Sequence, residues 1–273
     1  MGAFMETNVL IKKLFFYFGL AFIFMFCVFL SNQFILLILG ISEVRPSFLE
    51  YLSFLPILLP TVFIMGIPFA VCIGFVQFLI LNENKIASIK NKTICIILCF
   101  GISFSFVSYI ISDFILPQAN LKYSNMYSEY VSTDRFDNLE IAENNPRNMN
   151  SFTLKRNIDE IMNERIVGYE RNLNQFKLEF HKKYSLPVGS FVFSLFALLV
   201  SFLLKNRRYI GLIISIFSCF IYWVLMVYSE IFSLNYGKYE IIAVWFPNIF
   251  YLFLTFILFI IYKKKTVRIR ADG

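Results

Sequence analysis

Six apolar runs, each about 20 residues or longer, set the frame for everything this chain can become. They are Leu14–Ile41, Leu55–Leu81, Ile94–Leu116, Leu186–Leu204, Tyr209–Phe232 and Ile241–Tyr262. Crossing a bilayer takes roughly 20 apolar residues in a helix. Backbone polar groups find no water inside lipid, so runs of this length must be helical. A barrel would show shorter, alternating strands instead. One polar stretch of about 70 residues, 116–185, divides the six runs into two sets of three. Composition agrees: 58% of residues are hydrophobic and 16% charged, against about 25% charged in a soluble domain. The expected fold class is an all-α membrane protein with six transmembrane helices in a 3+3 arrangement. Its parts are 1–116 with spans one to three, 117–185 outside the membrane, and 186–273 with spans four to six and a basic tail. The first run is too long for a signal peptide and lacks a small-residue cleavage site, so it reads as a retained helix.

Basic residues orient the bundle. Lys12, Lys13, Lys85, Lys90, Lys92, Lys205, Arg207, Arg208, Lys263, Lys264, Lys265, Arg268 and Arg270 flank one side. The short loops of the other carry Arg45 and Lys238. The first side is therefore expected in the cytoplasm, with both termini, and the 116–185 stretch outside it. This bias accounts for the net charge of +7 and calls for no nucleic-acid partner.

The outer stretch has two characters. Residues 121–150 are polar, with Asn144, Asn145, Pro146 and Asn148 clustered as a loop. From Ser151 to Tyr184 apolar residues recur every three or four positions (Leu154, Ile158, Ile161, Met162, Ile166), which predicts an amphipathic helix with an interruption at Gly168. That helix runs into the fourth span at Leu186–Pro187.

Catalysis finds no support here. The chain lacks a phosphate-binding Gly-rich loop, a zinc-protease helix motif and a nucleophile–base set, so no enzyme activity and no nucleotide hydrolysis of its own are expected. No metal site is expected. All five cysteines fall inside apolar runs and read as small buried hydrophobes. Asp113 and Glu230 are the ionisable groups nearest membrane depth, each toward the outer end of its helix; an ion carrier would want such groups at the midplane. Asn32 and Gln33 could line a cavity or bond across helices.

Several positions carry a family likeness. Ile11–Gln33 has a basic start and an Asn-Gln end. Pro117, Ala119 and Asn120 follow the third run. Glu179–Leu195 leads into the fourth through a carboxylate, a histidine, two lysines and Leu-Pro, with Gly168 upstream. Trp245, Pro247 and Asn248 open the last run. In order and spacing these resemble the LptF/LptG-type (YjgP/YjgQ) permeases, membrane subunits of the ABC exporter that extracts lipopolysaccharide from the bacterial inner membrane. The resemblance implies a multi-pass inner-membrane permease that binds no cofactor itself. Its partners would be an ABC ATPase dimer that uses ATP, a second LptF/LptG-like permease, membrane lipid and a periplasmic bridge protein. It further implies a substrate cavity at Asn32, Gln33, Phe34, Trp245 and Asn248. The cytoplasmic loop 82–93 would be the coupling element, with Glu83, Asn84, Lys85, Ile86 and Ile89 against the ATPase. The other readings left open are a non-transporting structural or regulatory subunit and an ion-coupled secondary carrier.

Two departures stand out. Members of the family carry a periplasmic β-jellyroll, yet only about 30 residues separate Asn120 from Ser151. Eight strands of about five residues each do not fit in that interval. The positions after Gln33 are Phe34, Ile35, Leu36 and Leu37, where the family places cations for lipid phosphates.

Overall fold

The computed structural model describes residues 2–41, 48–82, 90–131, 144–164, 170–204, 207–236 and 239–271. Among them every regular element is helical. In chain order these are α1 (Gly2–Ile41), α2 (Phe48–Leu81), α3 (Lys90–Ile110), a π-helical turn (Ile111–Ile115) and α4 (Leu116–Val131). A 3-10 turn (Pro146–Asn148), α5 (Ser151–Glu164), α6 (Glu170–Leu203), α7 (Arg208–Tyr236) and α8 (Glu240–Ala271) follow. Six stretches are long and apolar enough to cross a membrane: 8–39, 48–81, 91–127, 173–203, 208–234 and 241–265.

The protein's inside and its apolar surface are different things here. The apolar window of α2 is 83% buried and that of α6 61%, whereas those of α1 and α3 are each 17% buried. So α2 and α6 form the axis of the bundle. α1 lies along α2, α3 and α8 lie along α6, and α7 bridges α2 and α8. Aromatic rings fill the crossing: Phe69, Phe193, Tyr222 and Tyr251 lie in mutual edge and tilted contacts 4.9–6.0 Å between centroids. This distinction corrects the reading of the cysteines. Cys72 and Cys219 are buried, but Cys27, Cys95 and Cys99 are exposed on helix surfaces. An apolar run facing lipid has no need to hide a small hydrophobe inside the protein.

The third helix does not stop at Pro117. It continues as α4 to Val131, so the first residues of the polar 121–150 stretch are helical. Proline is tolerated because the helix switches register ahead of it. In the π turn the Leu116 N–H donates to the Ile111 carbonyl, five residues back. In that register the donor for the Ser112 carbonyl would be residue 117, and proline has no N–H. The orphaned oxygen accepts from Lys183 Nζ at 2.8 Å instead.

The amphipathic stretch begins at Ser151, as its periodicity predicts, and Asn150 caps it, its Oδ1 accepting the Thr153 N–H at 2.8 Å. The helix is described to Glu164, and α6 runs from Glu170 through Pro187 into the fourth span. Gly168 lies outside the described residues.

Candidate functional site

Two places in the bundle combine unusual chemistry with geometry. The first is a groove of about 610 Å³. Its walls are α1 and α7 and its floor is α2; Leu20, Phe24, Ile73, Gln77, Arg208 and Ile216 line it. Gln77 is the single amide side chain of α2 and interrupts the apolar run from Val62 to Leu81. Its Nε2 is buried without a hydrogen-bond partner among the described residues. Such a donor costs about 1–3 kcal/mol unless something accepts from it. Arg208 opens α7 and is exposed. Beside the groove, Lys13 Nζ donates to Asn82 Oδ1 at 3.0 Å, which ties the start of α1 to the end of α2. The Phe202 ring lies 5.7 Å from that of Tyr262, so α8 ends beside the end of α6. Lys13, Asn82 and Arg208 therefore share one end of the bundle.

The second place is the opposite end. Asp113, in the π turn, is 5% exposed; it accepts from the Ser151 N–H at 2.6 Å and from the Ser151 Oγ at 2.9 Å. A carboxylate at the first turn of α5 suits the positive end of that helix. Lys183, 3% exposed, reaches the neighbouring carbonyl. Next to them Glu230 on α7 accepts from Arg147 Nη2 at 3.0 Å and Lys182 Nζ at 2.5 Å. Glu179 on α6 accepts from Arg147 Nε at 3.3 Å and Lys182 Nζ at 3.1 Å. Desolvation would lower the Arg147 pKa; the two carboxylates outweigh it and hold the guanidinium above its ordinary value. Asn120 Nδ2 donates to the Arg147 carbonyl at 3.0 Å. Two cations and two carboxylates thus knit the 144–150 loop, α6 and α7 into one latch. Asp113 and Glu230, the groups an ion carrier would need free, both sit in these networks.

None of the residues expected to line a cavity is among those lining the α1–α2–α7 groove. Asn32 is exposed on α1, and Gln33 is half-buried. The Phe34 ring sits 6.2 Å from that of Tyr51, at the start of α2. Trp245 is half-buried on α8. Asn248 is buried and doubly engaged: its Oδ1 accepts from the Tyr222 hydroxyl at 3.0 Å and its Nδ2 donates to the Ser185 carbonyl at 2.7 Å. Tyr222 reaches it because Gly189 has no side chain; a Cβ there would lie 2.7 Å from the Tyr222 oxygen. Gly189→Ala should therefore cost about 1–3 kcal/mol. With Asn248→Leu already present it should cost much less, since the bond it disturbs is gone. Thermal unfolding of the two single variants and the double in detergent checks this. The coupling residues Glu83, Asn84, Lys85, Ile86 and Ile89 lie outside the described residues, as do Arg45, Lys205 and Lys238. The residues before and after that loop, Asn82 and Lys90, are described, and Asn82 stands at the Lys13 end.

Sequence reasoning missed the groove. Its one visible signal was Gln77, a lone amide in a run of hydrophobes. The latch was half-visible, since Glu179, Lys182 and Lys183 stand in the stretch that carries the family likeness, but their partners are far away in sequence.

The family described as lipopolysaccharide export system permease LptF/LptG matches residues 133–261, which covers the latch-bearing stretch, the fourth and fifth spans and most of the sixth. No curated protein matches the chain.

Proposed function

We propose that this chain, a permease of the LptF/LptG family, is one half of an ATP-driven chamber that lifts lipopolysaccharide or a related lipid out of the inner membrane. Its lysine- and arginine-flanked end faces the cytoplasm, following the charge bias of the loops. The family match carries this reading, and the distribution of apolar surface supports it. α1 and α7, on either side of α2, expose Phe24, Val28, Phe217, Phe220 and Val224. Two such faces, one from each of two permeases, make a chamber with walls suited to acyl chains. In this reading Asn32 and Gln33 meet lipid at the outer end of α1, Phe34 anchors that end on Tyr51 of α2, and Trp245 and Asn248 brace the bundle from α8. A separate ABC ATPase supplies the stroke through the loop that carries Glu83, Asn84, Lys85, Ile86 and Ile89. The outer latch fits a permease that transmits force, because it fixes the 144–150 loop to α6 and α7 as one body.

Purification in a mild detergent tests this. The chain should bring with it an ATPase and a second six-span permease. Replacing Glu83 with Lys together with Ile86 with Asp should lower ATPase recovery at least about tenfold, the scale of a lost contact of 1.4 kcal/mol. A chain that purifies alone, with no ATPase in any detergent that preserves its fold, would end the proposal.

A further inference from the structure

We infer that a small pocket beside the latch is a docking site for one neutral sugar ring, carried either as the headgroup of a membrane glycolipid or as a free sugar. The pocket holds about 200 Å³. It stands between the 144–150 loop, α6 and the end of α7, and shares no residue with the α1–α2–α7 groove. Depth fixes which part of a lipid reaches it. Leu234, on its wall, lies 26 residues along α7 from Arg208, a rise of about 39 Å at about 1.5 Å per residue. A hydrocarbon core is about 30 Å thick, and about 40–45 Å with its headgroups. The pocket is therefore level with headgroups and beyond the acyl chains.

The charges at the pocket are balanced. Arg147 and Lys182 are matched by Glu179 and Glu230 through the ion pairs of the latch. Each carboxylate spends one oxygen, Oε1, on these bonds and uses Oε2 in none of them. Arg147 spends Nε and Nη2 and keeps Nη1, and its side chain is 60% exposed. Asn145 commits its amide oxygen to the Arg147 N–H, which leaves its NH2 as a donor. Gln175 adds an exposed amide with a donor and an acceptor. A phosphate brings acceptors alone, and to bind here it would have to pull Arg147 off two carboxylates. An ammonium brings donors alone, and it would have to displace cations already seated. A hydroxyl both donates and accepts, so a ring of hydroxyls meets both kinds of group and leaves the latch closed. Pro146, Leu178 and Leu234 make the rest of the wall apolar, which suits the C–H faces of a sugar. The volume falls below the roughly 300–1,000 Å³ of pockets that take a drug-sized ligand. It fits a single ring and excludes a whole lipid.

The test uses the full chain in a detergent that carries no sugar, since a maltoside would itself enter the pocket. It is titrated under native mass spectrometry with dioleoylglycerol bearing one glucose, one galactose, phosphoglycerol or phosphoethanolamine. One of the two glycolipids should bind once per chain and at least about fivefold more tightly than both phospholipids, the scale of one net hydrogen bond. Methyl glucoside and methyl galactoside in the same titration separate the sources. Binding as tight as that of the matching glycolipid assigns the site to a free sugar, and weaker binding assigns it to a lipid headgroup. None of the latch bonds involves Gln175. Gln175→Ala should therefore leave thermal unfolding unchanged and lose the preference, and Gln175→Trp, whose ring fills the pocket, should block the sugar. Equal binding of all four lipids, a preference for either phospholipid, or a preference that survives both Gln175 substitutions overturns the inference. The ATP-driven chamber proposed above enters none of these outcomes. A chain that purifies without an ATPase ends that proposal and leaves this one standing.

Discussion

Lys183→Met should destabilise the protein by about 3 kcal/mol, one of the two largest single-residue effects expected. The ammonium donates to a buried carbonyl that no backbone N–H can reach. Removing a charged donor loses about 1.5–3 kcal/mol, and the acceptor left unpaired adds to the cost. Methionine keeps most of the aliphatic stem, so packing changes little. The carboxylate of Asp113, which attracts this ammonium, also loses a nearby counter-charge, whereas Glu179 keeps Lys182 and Arg147. Thermal unfolding in detergent measures the loss. The cause can be isolated, because Pro117 creates the orphan. Pro117→Ala returns an N–H at the position that the π register assigns to the Ser112 oxygen. The double variant Pro117→Ala, Lys183→Met should therefore be more stable than Lys183→Met alone. If Pro117→Ala leaves the cost of Lys183→Met unchanged, the account of the π turn is wrong.

The same turn shows what the sequence could and could not reveal. Hydropathy located all six spans, because the bilayer leaves helices as the only option for such runs. The amphipathic start at Ser151 was legible too, since its period is local. The continuation of the third helix past Pro117 was not legible, because a proline followed by polar residues carries no helix signal. Its helix survives only through a register shift and a lysine 66 positions downstream. Such a contact has no local signature. The family-like residues were noticed as a pattern before their work was visible. Asn120 holds a loop carbonyl, Glu179 and Lys182 pair with each other and reach Arg147 and Glu230 in turn, and Asn248 bridges a tyrosine and the carbonyl of Ser185. Each is a tie between helices that sit far apart in the chain. The groove stayed hidden for a different reason. A wall of leucine, isoleucine and phenylalanine is composed like any lipid-facing surface, so only the fold distinguishes a cleft from a flat face.

The second large effect concerns how α1 is held against α2. These helices meet at Gly74, where a Cβ would stand 2.8 Å from the Phe18 Cα and 3.0 Å from both the Phe18 nitrogen and the Tyr17 carbonyl oxygen. Small residues that admit a neighbouring backbone are a main means of joining helices in lipid, where no hydrophobic force draws them together. All three obstructing atoms are backbone, so no rotamer change relieves the crowding, and α1 must move as a body. Gly74→Ala should cost about 1–3 kcal/mol, with the better helix propensity of alanine recovering up to about 1 kcal/mol of it. Gly74→Val should cost about 3 kcal/mol or more, because its methyls point into the same contact. Gly19→Ala is the control on the facing helix: nothing lies within 4 Å of its Cβ position, so it should be neutral or slightly stabilising. Thermal unfolding of Gly74→Ala, Gly74→Val and Gly19→Ala in detergent measures the difference. Equal stability of Gly74→Val and Gly19→Ala would show that α1 does not rest on α2 at this glycine.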